Sequence, residues 1–290
     1  MTRLKEGDLI PIPARLPEYD DRLRGIVGVS LAEIACKAAG VDEKPLGSGS
    51  IMARFAAVPM NSGFGVIQGF SAAASAVVSH LGFEAFVTED SDVAGIVEGI
   101  GAGADVLLLA DDERYVAMVP EIGFYVDNSP ATALGFVTAL EIMNGGLVGE
   151  SVLVLGCGPL GVAASKALIE RGAEVGLCDV VEARAQAASR GIGGSSSATV
   201  GIETDLSGSL RRYNLIFDAT NTGGFIGPGH LTDHTLVAAP GMPCALTPEA
   251  MDEHRNRIIH DSLEIGTATM AVQAAAMLSA GETPRGAGGE

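Results

Sequence analysis

The spacing with the clearest chemistry is Gly156-Cys157-Gly158-Pro159-Leu160-Gly161, which follows the apolar run SVLVL and opens a helical pattern. Such a turn binds phosphate. Gly156 permits the tight bend, Gly158 lets the backbone approach a pyrophosphate, and Gly161 lets helix and strand pack closely. The helix entered through Pro159 and Leu160 offers free N–H groups and a partial positive charge to the phosphates. A second strand, EVGLC, ends on Asp179, and 179 − 161 puts that acid 18 residues after the last glycine. A carboxylate there grips a ribose 2′-hydroxyl and repels a 2′-phosphate, so NAD is favoured over NADP. Arg184 is the nearby cation that a 2′-phosphate could use, but its expected place on the following helix leaves the preference for NAD. Ala219-Thr220-Asn221 follows the run NLIFD, and Ala239-Pro240-Gly241 follows TLVAA. Both are carboxyl-end loops of the same sheet, where nicotinamide and its ribose rest. A domain of this type that no longer binds a nucleotide is the alternative.

Substrate chemistry needs groups from the rest of the chain, and two loops offer them. Asn61-Ser62-Gly63 follows the strand pattern IMARFAAVP, and Asp111-Asp112 follows DVLLLA. One of two adjacent carboxylates can cap a turn while the other faces a cleft, where it would bind an ammonium or act as a base. Solvated loop acids are an equally good reading. The set Gly63, Gly65 and Gly69 resembles a second nucleotide turn but lacks the third glycine at the proper spacing, so it is read as a turn lining the cleft. His230 and His234 have the i,i+4 spacing of zinc ligands. Their context, GPGHLTDHTLV, reads as a loop entering a strand with no third ligand near, so no metal site is expected.

These residues need an α/β frame. From residue 51 strand and helix patterns alternate, and the run DVLLL is apolar on both faces, as a central parallel strand must be. Ser30 caps the helix pattern LAEIACKAA, which Gly40 ends. Ser129 and Pro130 start a helix over PATALGFVTALEIM. The stretch between, ERYVAMVPEIGFYVDN, carries no clear pattern. GGLVGE marks a boundary, so the expected architecture is an N-terminal α/β catalytic domain over residues 1–145 and a C-terminal Rossmann dinucleotide-binding domain over 146–265. A helix over 266–280 is free to return to the first domain, and the Gly-rich tail, 281–290, is expected to be disordered. The first 25 residues, with Pro11, Pro13 and Pro17, read as an arm in which a regular helix is disfavoured.

The chain has 290 residues with 47% hydrophobic content, enough for a sizeable core, and its 36 acidic against 18 basic residues give a net charge of −18. So negative a surface repels phosphate backbones and anionic lipid, which argues against nucleic-acid and membrane-surface roles. It suits a cationic substrate, though charge alone says no more than an acidic soluble enzyme. Cys36, Cys157, Cys178 and Cys244 show no CxxC spacing and read as small buried residues in a reducing compartment. The N-terminus has no apolar signal core and the chain has no long apolar run, so a cytoplasmic location is expected.

Taken together, VPMNSGFGVI (58–67), LGFEAFVTEDSDVAG (81–95), LLADD (108–112), DNSPATALG (127–135), GCGPLG, APGMPCAL (239–246) and GTATM (266–270) closely resemble the PylD family. The nucleotide turn is widely shared; the other pieces in this order are specific. The resemblance implies the dehydrogenase that completes pyrrolysine biosynthesis, oxidising L-lysine-Nε-3R-methyl-D-ornithine with NAD. The ornithine side-chain amine loses hydride, and ammonia loss with ring closure follows. It further implies that Asn61, Ser62 and Gly63 line the substrate site, that Asp111 or Asp112 holds or deprotonates the ornithine amine, and that the arm around Leu4 closes over the substrate. HDSLEIGTA departs from the family pattern just before GTA. The rivals are another two-domain amino-acid or shikimate-type dehydrogenase and a non-catalytic NAD-sensing protein. A shikimate-type enzyme needs a lysine–aspartate pair, whereas Lys5, Lys37 and Lys44 all lie away from core strands. A homodimer is common for such enzymes, and no residue specifies it.

Overall fold

The computed structural model describes residues 4–41, 46, 51–61, 65, 67–193 and 200–281. The N-terminal segment is helical, which corrects the expectation of an irregular arm. A single turn, α1 (Glu6–Leu9), leads into α2 (Ile12–Val27). Pro11 sits at the N-cap and Pro13 in the first turn, where no N–H bond is lost. Pro17 lies inside the helix and forfeits one bond, yet Ile12, Leu16, Tyr19, Leu23 and Val27 recur at helical spacing and are all buried. Burial of that stripe outweighs the proline. In α3 (Leu31–Ala39) Ser30 accepts from Glu33 N, and Gly40 closes the helix with φ 69°.

The first sheet begins as expected with β1 (Arg54–Val58), α4 (Phe70–His80), β2 (Glu84–Val87), α5 (Asp92–Gly101) and β3 (Val106–Ala110), all three strands parallel. It does not stay parallel. The unpatterned stretch forms β4 (Tyr115–Val119) and β5 (Phe124–Asp127), which pair antiparallel in the order β2-β1-β3-β4-β5. In β4, Tyr115, Ala117 and Val119 are buried while Val116 and Met118 point outward. The outward residues are apolar too, so the two-residue period was hidden.

Next, α6 (Asn128–Asn144) joins the sheets; its cap is Asp127, which accepts from Ser129 N at 2.9 Å, rather than Ser129. The second sheet comprises β6 (Ser151–Leu155), α7 (Pro159–Glu170), β7 (Glu174–Cys178), α8 (Glu182–Gly193), β8 (Val200–Ile202), α9 (Leu206–Arg212), β9 (Leu215–Asp218), β10 (Leu236–Ala238), α10 (Pro248–Glu253) and β11 (Ile258–Ile259). Every pairing is parallel and the order is β8-β7-β6-β9-β10-β11. The order reverses between β6 and β9, the switch point at which open α/β sheets bind ligands. This is the expected Rossmann domain.

The last element, α11 (Glu264–Ala280), leaves this sheet and packs against α3, α4 and α6 beneath the first one. It is buried without a break from Glu264 to Val272 because neighbours surround it. Small residues let α6 and α11 cross closely: a Cβ on Gly135 would lie 2.5 Å from Thr269 Oγ1 and 2.6 Å from Ile265 Cγ2.

Candidate active site

A cavity of about 820 Å³ opens between the two sheets. On one wall lies the glycine turn. Gly156 has φ 86°, and a Cβ there would lie 2.8 Å from the Ala219 carbonyl oxygen. A Cβ on Gly161 would run into the Gly156 carbonyl. Both glycines are therefore needed by the bend itself. Gly158 differs: a Cβ there meets nothing within 4 Å, and the residue lines the cavity with Pro159 and Leu160. Open space in front of bare backbone at a helix N-terminus is what a pyrophosphate requires. Asp179 lines the same wall, its carboxylate accepting from Cys157 N and Val181 N, each at 2.8 Å. It thereby braces the turn. Arg184 is in α8, as expected, and reaches the same wall. The donor set fits a dinucleotide.

Ala219, Thr220, Asn221, Pro240 and Gly241 also line the cavity. Asp218, fully buried behind them, holds these loops together. Its carboxylate accepts from Thr220 N (2.9 Å), Thr220 Oγ1 (2.7 Å) and Ala245 N (3.1 Å), and its carbonyl accepts from Gly241 N at 2.9 Å. Burial raises its pKa, and the hydrogen bonds oppose that rise. Gly241 must stay bare, since a Cβ would lie 2.8 Å from Asp218 Oδ2.

The opposite wall carries the first domain's groups. Asp112 and Asp111 both line it, as does Leu4. Asp111 is the turn-former: its Oδ1 accepts from Glu113 N at 2.8 Å and Arg114 N at 2.7 Å, closing the β3–β4 connection. Those bonds hold its carboxyl below the usual range. Asp112 is half-buried on the cavity side. Asn61 is turned elsewhere and is not part of the wall. Its backbone N donates to Asp92 Oδ1 at 2.7 Å, and its amide donates to Ser91 Oγ (2.6 Å) and Asp92 Oδ2 (3.0 Å). This grip suits Asp92, whose φ of 54° needs local support. Ser62 and Gly63 lie outside the described residues; Met60 and Gly65, on either side, line the cavity. His230 and His234 fall in a 3₁₀ turn and a turn, as the loop reading expected, and no cluster of metal-binding side chains occurs among the described residues.

The structure adds groups that the sequence reading lacked. Asn128, Ser129 and Thr132 reach the cavity from the start of α6, and Asn128 Oδ1 is buried without a hydrogen-bond partner among the described residues. Just before α11, Asp261 lines the floor while only 6% exposed. Tyr19 OH on α2 donates to its Oδ2 at 2.6 Å. Burial first, and then the neighbouring Glu264 carboxylate, push the Asp261 carboxyl up to about 8. A carboxyl raised in this way keeps its proton above the pH at which exposed acids lose theirs. Nothing in HDSLEI signals this: Tyr19 lies 242 residues away in sequence.

A doubly wound dinucleotide sheet facing a mixed sheet across a shared cavity defines the two-domain dehydrogenase fold. Solved structures with this fold include quinate dehydrogenase from Corynebacterium glutamicum in complex with NAD, at TM-score 0.52 and 16% identity, covering 80% of this chain and 95% of that one. Shikimate dehydrogenase from Aquifex aeolicus aligns at TM-score 0.52 and 13% identity, covering 80% and 94%. Sequence narrows the class. Residues 11–126 match the family described as pyrrolysine biosynthesis protein PylD, N-terminal domain. A pyrrolysine synthase from Methanosarcina barkeri is 30% identical over 272 residues, 93% of this chain and 97% of that protein. Another, from Methanosarcina acetivorans, is 28% identical over the same length, covering 93% and 98%. The chain belongs to the PylD family.

Proposed function

We propose that the protein is an NAD-dependent amine dehydrogenase that oxidises the ornithine side-chain amine of L-lysine-Nε-3R-methyl-D-ornithine and closes the pyrroline ring of pyrrolysine. The observation that carries this reading is a buried carboxyl, Asp261, sharing one cavity with the glycine turn. Family membership and the names of the Methanosarcina relatives support the substrate. When bound along Gly156–Gly161 and the Thr220 and Gly241 loops, NAD supplies a two-electron acceptor for a hydride.

The substrate carbon beside the amine loses that hydride, and its ammonium loses one proton, leaving an iminium. Asp261 is the group suited to hold the ammonium and take the proton, since it is buried against the cavity and its carboxyl is pushed well above the ordinary range by burial and the Glu264 carboxylate. Asp112 is suited to hold a second ammonium of this polycationic substrate. The ornithine α-amine then adds to the iminium carbon, ammonia leaves, and the ring C=N remains. With both ornithine amines protonated at the start, the balance is substrate plus NAD⁺ giving pyrrolysine, NADH, ammonium and two protons, one from each amine. The apolar side chains of Leu4, Met60 and Phe136, which line the cavity, reduce the water that would otherwise divert the iminium to an aldehyde.

The test is to add NAD and the isopeptide and follow NADH absorbance together with ammonia release. Both should appear in equal amounts. Nucleotide binding with no reduction would instead favour the sensing protein. NAD over NADP rests on Asp179: replacing it by Ala should lower the NAD preference on the order of tenfold in kcat/KM, and an unchanged ratio would refute the ribose assignment.

A further inference from the structure

Beneath the cavity floor, α2 and α11 are joined by two cross-links. Arg15 and Tyr19 are four residues apart on one face of α2; Asp261, just before α11, lies three residues ahead of Glu264, the helix's first residue. Tyr19 OH donates to Asp261 at 2.6 Å, and Arg15 Nη2 donates to Glu264 Oε1 at 2.8 Å. Glu264 is wholly buried, its second oxygen accepting from Leu263 N at 3.0 Å, and it does not touch the cavity that Asp261 lines. The buried group therefore holds two acids and one phenol against the single cation of Arg15. Arg22, further along α2, adds a weaker positive influence on Tyr19. From the cavity side, α6 contributes neutral groups, Asn128 and Thr132.

We propose that Glu264 is a positioning residue for the proposed reaction: anchored by Arg15, it keeps the cavity-wall Asp261 from ionising until a substrate cation arrives beside it. The inference rests on the amine-dehydrogenase reading for its purpose but not for its test. Arg15 is spoken for by Glu264, so Asp261 has no cation of its own, and a buried carboxylate in that state takes a proton. An ammonium entering the cavity supplies the missing charge. Asp261 then releases its proton to solvent and binds as carboxylate. Arg15 and Tyr19 both belong to α2, so the seating of that helix and the proton on Asp261 are linked.

Three observables follow, the first two needing no substrate. With ¹³C-labelled aspartate and D261N to assign the signal, the Asp261 carboxyl should titrate in the wild type, and in E264Q its midpoint should fall by about one pH unit or more. Y19F should move it the other way, because the phenol stabilises the ionised form. An E264Q midpoint equal to wild type would overturn the proposal. Should E264Q fail to fold, wild-type protein labelled at glutamate must show the Glu264 carbon shifting through the Asp261 midpoint, assigned with E264D; a flat signal would overturn it equally. In turnover, the acid limb of the kcat/KM profile should move down in E264Q and return in E264D. Wild type that titrates as described but reduces no NAD would sink the dehydrogenase reading and leave the Glu264 linkage standing.

Discussion

Two carboxylates on the cavity have opposite surroundings, and this separates their roles. Asp111 is exposed and held ionised by two backbone N–H groups, so it shapes the turn that presents Asp112. Replacing Asp112 by Asn should lower kcat/KM for the isopeptide on the order of tenfold or more while NAD affinity stays unchanged; fluorescence titration of NAD beside turnover measures both. Asp261 is the reverse case, raised by burial to about 8 against roughly 4 in an unfolded chain. The folded protein therefore keeps a proton that the unfolded chain releases. The stabilisation is complete below the unfolded value and is lost as pH rises through about 8. Denaturant midpoints should fall between about pH 4 and 8 by an amount that D261N removes, and parallel curves for the two proteins would contradict this. The glycine turn and Asp179 were legible because their spacing is local, all within one βαβ unit. Asp261 was not, because its partners Tyr19 and Arg15 come from the far end of the chain.

At the level of elements, the pattern with the strongest period was read correctly. Helices over α4, α5 and α6, the parallel strands β1 to β3, and β6, β7, β9 and β10 of the second sheet follow from apolar spacing and end signals. Among the elements that the sequence does not announce, two show why. In α2, prolines mask a helix that is stabilised by burial rather than by propensity. In β4, apolar residues on both faces erase the alternation. The α6–α11 crossing is a third feature beyond sequence, since Gly135 reads only as a weak point in a helix. Its role is proximity to Thr269 and Ile265. A Gly135→Val change should cost about 1–3 kcal/mol in urea unfolding. By tilting α11 it should also depress activity more than NAD binding, as Asp261 sits at that helix's entrance. Wild-type-like stability would show that the crossing tolerates a side chain.

For the molecule as a whole, two sheets contribute different halves of one site, and the cavity exists only where their carboxyl ends face each other. The first sheet and its helices supply Asp112 and the α2 clamp; the second supplies the nucleotide cradle. Their connection is made twice, once by α6 going forward and once by α11 coming back. That return sets an order on synthesis. The core formed by α3, α4 and α6 has its apolar faces covered by α11, so a ribosome that has released only the first 145 residues leaves those faces open. A fragment of residues 1–145 should bind a hydrophobic dye and lack a cooperative melt, and adding a peptide of residues 260–281 should restore one. The first half of the chain thus depends on the last helix for a closed core.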